Sequence, residues 1–309
     1  MIYHKKIWVL SAVIIFVANV YFACSTQTSS VIHQHTEIEK DTVIFMERIA
    51  EGTIEMDMID EASGIAASIQ NDNTFWTHND SGDKARIFLI NNKAQYIMTC
   101  KLAGAINRDW EDIAISRDPV HGNSRIFIGD IGDNNGRHLY CTIYILDEPT
   151  VTSNENITVT NFDKITFRYD DGPKDAETLM VDPVSGDIYI VSKRDANVSV
   201  YTISYPYNFY DTLTLQKLIT IPYTYIVGGD ISPDGSELLM KDYSKVYYWQ
   251  RKIGQSIKDL LSGNPAEPPY IQEPQGEAIC WSRDARSFYT LSERSPFKIS
   301  PVLYRYDKK

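Results

Sequence analysis

Between Asp175 and Ser204 the chain alternates between apolar runs and polar breaks at a spacing too short for helices. Ala176 to Val181 is apolar apart from Glu177 and Thr178, and it is introduced by Asp175. Asp182-Pro183-Val184-Ser185-Gly186 reads as a turn. Asp187 to Val191 is a second run rich in β-branched and aromatic residues, and Ser192-Lys193-Arg194-Asp195 breaks it. Val198 to Ile203 then alternates with period two, as a half-buried strand does.

The same unit recurs along the chain. A first copy opens at Glu61-Ala62-Ser63-Gly64, turns at Asn71 to Asn73, and continues through Thr74 to Thr77, Arg86 to Ile90 and Gln95 to Lys101. A second opens at Asp109-Trp110-Glu111-Asp112, with strands predicted at Arg125 to Ile128, Tyr140 to Leu146 and Lys164 to Tyr169. The third is the stretch described above, with Thr214 to Ile221 as its outer strand. The fourth opens at Gly228-Gly229-Asp230 and carries the hairpin signal Asp234-Gly235, followed by Leu238 to Met240 and Val246 to Gln250. Ser256 to Leu261, ended by Gly263, reads as a short helix. The fifth opens at Gln275-Gly276-Glu277 and runs through Phe288 to Leu291 to Val302 to Tyr306.

The acidic openings Glu61, Glu111, Glu177, Asp230 and Glu277 are 50, 66, 53 and 47 residues apart. A period near fifty built of short antiparallel strands predicts an all-β fold, a β-propeller of five four-stranded blades. Six blades is the alternative, if Thr150 to Pro173 holds another. The fifth unit has only three strands, and Thr42 to Ile49 is a spare β pattern. Pairing the two ends would close the ring and hide a sheet edge.

Composition adds an address. Met1 to Lys6 is short and basic, Ile7 to Ala23 is largely apolar, and Cys24 is followed by a polar stretch. That order is a bacterial lipoprotein signal. It predicts a signal peptide over 1–23, lipidation of Cys24, a flexible tether over 24–40, and a globular domain over 41–309. The protein is then held at the membrane of a bacterial cell envelope, outside the cytoplasm. An uncleaved anchor gives the same side of the membrane. The net charge of -11 argues against nucleic-acid binding and is compatible with cation binding or simple solubility. Cys100, Cys141 and Cys280 lie in separate apolar runs without a C-x-x-C pair, which leaves a zinc or haem site unsupported and predicts buried thiols or one disulfide.

The candidate chemistry lies at one end of the ring. In a propeller the first strand of each blade lines the central channel, so Glu61, Glu111, Glu177, Asp230 and Glu277 are expected to converge at one mouth. Crowded carboxylates either raise one another's pKa or take up a cation, and an all-oxygen set suits calcium. Alternatively, the acids bond backbone amides of neighbouring blades and staple the ring. A second row follows each second strand: His78, Asn79 and Asp80; Asp130, Asp133 and Asn134; Lys193 and Arg194; Lys241; Glu293 and Arg294. Mixed in sign, this row suits a small polar ligand or a protein partner above the acids, or forms a solvated face of salt bridges. The sequence holds no G-x-S-x-G elbow, H-E-x-x-H or Walker loop, and Asp130 to Gly136 departs from the EF-hand pattern.

Taken in order, Glu61-Ala-Ser-Gly, Asn79-Asp-Ser-Gly-Asp83, Asp109-Trp-Glu-Asp112, Gly129-Asp-Ile-Gly-Asp-Asn134, Asp175-Ala-Glu177, Asp230-Ile-Ser-Pro-Asp-Gly235 and Gln275-Gly-Glu-Ala278 resemble a family of bacterial exported propellers. More distantly, the Asp-Ala-Glu and Gln-Gly-Glu openings are similar to β-propeller phytases and to calcium-dependent phosphotriesterase and lactonase propellers. That resemblance implies channel carboxylates on calcium. The pattern departs from the phytases in that the mouth loops carry few Lys and Arg residues to clamp a phosphate, and from the lactonases in that no histidine pair is evident. Three functions follow as expectations: a membrane-anchored propeller binding a polar ligand or partner at its acidic mouth, with or without calcium; a calcium-dependent phosphoester or lactone hydrolase; or a metal-free interaction scaffold.

Overall fold

The computed structural model describes residues 44–294 and 299–309. The expected signal peptide, the lipidated Cys24 and the tether lie outside the described residues. Strand β1 (Ile49–Thr53) comes first. Blade 1 contains β2 (Ala62–Ala67), β3 (Thr74–Asn79), β4 (Arg86–Asn91) and β5 (Tyr96–Leu102). Blade 2 contains β6 (Trp110–Arg117), β7 (Ser124–Asp130) and β8 (Cys141–Asp147); β9 (Ile157–Val159) follows, and β10 (Asp163–Tyr169) completes the blade. Blade 3 contains β11 (Ala176–Val181), β12 (Ile188–Ser192), β13 (Val198–Ile203) and, after β14 (Leu213–Leu215), β15 (Lys217–Ile221). Blade 4 contains β16 (Gly228–Ile231), β17 (Glu237–Lys241) and β18 (Val246–Gln250), with helix α1 (Ile257–Leu261) after it. Blade 5 contains β19 (Gly276–Trp281), β20 (Ser287–Ser292) and β21 (Val302–Asp307).

The inner strands β2, β6, β11, β16 and β19 each pack beside the next, and β19 returns to β2. The ring is therefore closed, with five blades. Alternate residues of a strand face opposite sides, so each blade contributes to two cores. Leu238 and Met240 pack towards blade 3, and Leu239 between them packs towards blade 5. Five apolar clusters result, one between each pair of neighbouring blades. The inner strands are covered on both faces, and β11 and β19 are buried at every position.

The segment Thr150 to Pro173 holds no sixth blade. It supplies β9, which pairs parallel to β5 at the outer edge of blade 1, and then β10, the fourth strand of blade 2. The outer run expected at Thr214 to Ile221 is divided in the same way. β14 pairs parallel to β10 of blade 2, and only β15 belongs to blade 3. Each connection thus straps its blade to the preceding one and covers an open edge. Blade 4 departs from the four-strand expectation. Its outer position holds only an isolated bridge from Tyr248 to Ala266, and α1 packs Ile257, Leu260 and Leu261 into the blade 3–4 core. The helix begins at Ser256, whose hydroxyl accepts from the Asp259 amide at 3.0 Å as an N-cap.

Blade 5 is completed from the N-terminal side, as the sequence pattern suggests, but by different residues. The pairing strand is β1, antiparallel to β21, which shares only Ile49 with the expected run Thr42 to Ile49; Thr42 and Val43 lie outside the described residues. Among the residues of that expected strand, Phe45 makes a single bridge to Lys308 and buries its ring against Tyr248, Trp281 and Phe288. The apolar pattern there marks a plug in the blade 4–5 core. The true edge strand reads Ile-Ala-Glu-Gly-Thr and buries none of its positions fully, so it carries little apolar signal. Phe45 is 1% exposed. Phe45→Ala should cost about 3–5 kcal/mol of stability. Denaturant unfolding should lose that amount in one cooperative transition, because the ring closes through this side chain's core; a separate early transition would place Phe45 outside the closing unit.

Candidate cation site at the channel mouth

Four of the five inner strands carry a one-residue irregularity at their head. Ser63, Glu111, Glu177 and Glu277 each fall between two paired residues and have no partner of their own on the second strand. Such a bulge re-aims the extra side chain. Counting from the hairpins explains the placement. The last pair of the inner hairpin is Ala67–Phe75 in blade 1, Val181–Ile188 in blade 3, Ile231–Leu238 in blade 4 and Trp281–Phe288 in blade 5. Four residues back from each lie Ser63, Glu177, Val227 and Glu277. Blade 2 has a longer hairpin, and its bulge falls on Glu111.

The structure therefore brings together three of the five expected channel acids. Glu111, Glu177 and Glu277 are all buried, and each offers a carboxylate oxygen within 4.8 Å of the others. Asp80, Asp109 and Glu111 form a second group of the same tightness, sharing Glu111. Lys193 is the cation among them. Its ammonium bonds Glu177 Oε1 and lies 3.8 Å from Glu277 Oε1. The Tyr243 hydroxyl donates to Glu277 Oε1 at 2.6 Å, and Ser63 Oγ reaches Glu277 Oε2 at 3.4 Å. Glu177 Oε2 is buried without a hydrogen-bond partner.

Burial, then the charges of Glu177, Asp80, Asp109 and Glu277, push Glu111 well above the usual carboxylate range. Glu177 is raised for the same two reasons, burial and then Glu277, against the opposing pull of Lys193. Around them Asp80 is pushed up to about 7 and Glu293 to about 8, both mainly by burial and then by neighbouring carboxylates. The close approach of Gly132 completes the wall. A Cβ added there would stand 2.0 Å from Glu111 Oε1 and 2.6 Å from Asp109 Oδ2, so a larger residue would have to displace these two carboxylates.

Glu61 and Asp230 are not part of this cluster. Glu61 lies two residues before the bulge and is exposed; its carbonyl accepts the Asp80 amide. Asp230 lies three residues deeper than Val227 and accepts two amides at 2.8 Å, from Ile231 of its own strand and Trp281 of the next blade. Asp112 does the same between blades 2 and 3, taking the amides of Ile113 and Leu179 at 2.9 Å. The stapling alternative thus describes these two acids.

The second row divides similarly. Asp80, Lys193 and Glu293 each follow the last paired residue of a second strand and reach the acidic mouth. Asn79 is spent on the loop, donating to Met58, Asp60 and Asp83. Asp130 accepts the Asp109 amide, and Asp133 accepts the His138 amide. Asn134 and Asp175 hold Arg194, and Asp57 holds Arg294. Lys241 is fully buried, bonded to the Gly276 carbonyl and set over the Tyr270 ring; burial lowers its pKa to about 8. Sequence reading missed Asp109, Tyr243 and Gly132 as parts of the site. Asp109 stood in the Asp-Trp-Glu-Asp opening; Tyr243 needed the hairpin count. Cys100, Cys141 and Cys280 are free, buried thiols.

No protein-family model and no curated protein matches the chain. Solved structures with a similar course of chain include the Dos1 propeller, at 12% identity over 80% of this chain and 68% of that one, with a TM-score of 0.39. The nidogen/laminin complex matches at 14% identity over 76% and 73%, with a TM-score of 0.44, and the RRP9 WD40 repeats at 10% over 80% and 80%, with a TM-score of 0.40. The assignment of this chain as a five-bladed propeller rests on its own strand pairings.

His78 lies between blades 1 and 2, not at the mouth. Its ring meets Trp110 edge-on and approaches Gly64, while Nδ1 bonds the Asn79 carbonyl at 3.0 Å. Burial lowers its pKa to about 4 from 6.5. The unfolded chain therefore takes up a proton that the native state refuses. The resulting stability is present above pH 6.5 and is lost as pH falls towards 4, by about 3 kcal/mol. His78→Gln should remove that part of the acid slope, seen as a convergence of wild-type and variant stabilities between pH 7 and 4; parallel curves would mean that His78 titrates normally.

Proposed function

We propose that the channel mouth binds a divalent cation, best matched by calcium, through Glu111, Glu177 and Glu277, and that the bound ion recruits a polar ligand from the open side. The observation that carries this reading is Glu177. One of its oxygens is taken by Lys193, and the other has no partner, on a side chain 3% exposed beside two more buried carboxylates. An unmade bond to a buried charged oxygen is costly, and native structures rarely retain one without a use. With all three ionised, as a bound cation would favour, three carboxylates against one ammonium carry two net negative charges, the charge of one divalent ion.

The donor set also fits the ion. Two oxygens bound to the same calcium at roughly 2.3–2.6 Å are at most about 5 Å apart, and these lie within 4.8 Å. All are carboxylate oxygens, which favours a hard cation over a transition metal. When bound, the ion supplies positive charge and open coordination positions for an oxygen of the ligand. Asp80, Asp109 and Glu293 around the site concentrate cations at the mouth, and Tyr243 and Ser63 orient Glu277.

The test is a pair of thermal melts of wild type and Glu177→Gln, with calcium and with chelator. Calcium at a hundred times its dissociation constant should stabilise the wild type by roughly 3 kcal/mol. Glu177→Gln should lose most of that shift and, in chelator, melt close to the wild type, because the lost ion pair is offset by relief of repulsion from Glu111 and Glu277. A wild-type melting temperature indifferent to calcium would favour the metal-free scaffold. Calcium-dependent turnover in an esterase and phosphatase panel would instead favour the hydrolase.

A further inference from the structure

The far end of the channel differs from the acidic mouth. There the C-terminal ends of all five inner strands enclose a cavity of about 340 Å³, within the range of small-molecule sites. Its lining mixes polar and apolar groups, the apolar part supplied by Ile69 from blade 1, Ile115 from blade 2, Val181 from blade 3 and Ile231 from blade 4. Asp230 also lines it, but both its oxygens already accept backbone amides, so its charge serves the fold. The remaining charged lining is basic. Arg117 comes from blade 2 and Arg283 from blade 5, and these two blades flank blade 1 on either side.

The two guanidiniums have charge to spare. Arg117 donates to the carbonyl of Gly122 at 3.0 Å, a neutral acceptor. Arg283 pairs with Asp72 at 2.7 Å, but the Asp72 side chain is 87% exposed, and an ion pair so wet holds its partner weakly. The apolar part of the lining offers water few hydrogen bonds, so displacing water from it is favourable for an apolar group. Guanidinium groups match the planar fork of a carboxylate.

We propose that this cavity binds a small organic acid, its apolar body held between the ends of the inner strands and its carboxylate on Arg117 and Arg283. The site is separate from the cation site at the opposite mouth and does not depend on it. Among the described lining residues the one hydroxyl, of Ser116, bonds the Arg117 carbonyl at 3.5 Å and no base, so the inference is of binding, with the arginines selecting for the anion and the apolar side chains for its body.

Calorimetric titration of the full chain with 1-naphthaleneacetate and with the uncharged 1-naphthalenemethanol tests this directly. The acid should bind once per chain and at least tenfold more tightly than the alcohol. Arg117→Gln combined with Arg283→Gln should abolish that preference while leaving the alcohol's affinity unchanged. Ile69→Glu, which sets an acid against the ligand at a half-buried position, should weaken the acid at least tenfold. Absence of binding, equal affinity for acid and alcohol in the wild type, or wild-type affinity in both variants would overturn the proposal. The comparison of the two ligands on wild-type protein keeps it testable even if a variant fails to fold.

Discussion

The extra residue at the head of an inner strand turns a ring of blades into a site. In a regular antiparallel pair, side chains alternate between faces, and in a propeller both faces of an inner strand lead into the cores between blades. One inserted residue breaks that alternation. In blades 2, 3 and 5 it is a glutamate, and these three meet. In blade 1 it is Ser63, which bonds the Glu111 carbonyl and reaches Glu277. Blade 4 has no bulge, and the corresponding place is the apolar Val227. The cluster is consequently lopsided, its three glutamates coming from blades 2, 3 and 5 while blade 4 supplies the Tyr243 hydroxyl from the loop after its second strand.

Burying carboxylates side by side is unfavourable unless something compensates. Lys193 compensates in part, as do the hydroxyls of Tyr243 and Ser63, and the remainder appears as raised pKa values and an unpartnered Glu177 oxygen. The ring can tolerate this because its stability comes from elsewhere. Five separate apolar cores lie between the blades, and the parallel straps β9 and β14 and the closing strand β1 cover their edges. Asp112 and Asp230 show the other use of an inner-strand acid. Each gives one oxygen to an amide of its own strand and the other to an amide of the next blade, so it is satisfied within the fold.

Much of this was readable in the sequence. Strand positions followed from period-two patterns and turn residues, and blade number followed from the spacing of the openings. Glu111, Glu177 and Glu277 were readable because each sits just inside its strand, one residue after the small or aromatic Trp110, Ala176 or Gly276. Glu61 and Asp230 were misassigned because register is set at the hairpin, not at the first acid encountered. The second row shows the same sensitivity. Asp80, Lys193 and Glu293 stand one place past the last paired residue, while Asn79 and Asp130 are themselves paired and Arg194 and Arg294 lie one place further on. A single step along the chain decides whether a polar side chain enters the mouth or a loop. The closing strand was displaced for a different reason: an edge strand needs few apolar residues, and the apolar residues nearby belonged to a core plug.

The two ends of the channel thus have unlike chemistry, a carboxylate cluster where the inner strands begin and a mixed lining of apolar side chains and two arginines where they end. The claim that the first is a cation site is open to direct observation. Crystals of the protein soaked in terbium, which binds to oxygen sites as calcium does, should give an anomalous peak within coordination distance of Glu111, Glu177 and Glu277, with the Lys193 ammonium moved away from Glu177. Crystals in which Lys193 still bridges Glu177 and Glu277, with no peak among the three carboxylates, would contradict the account.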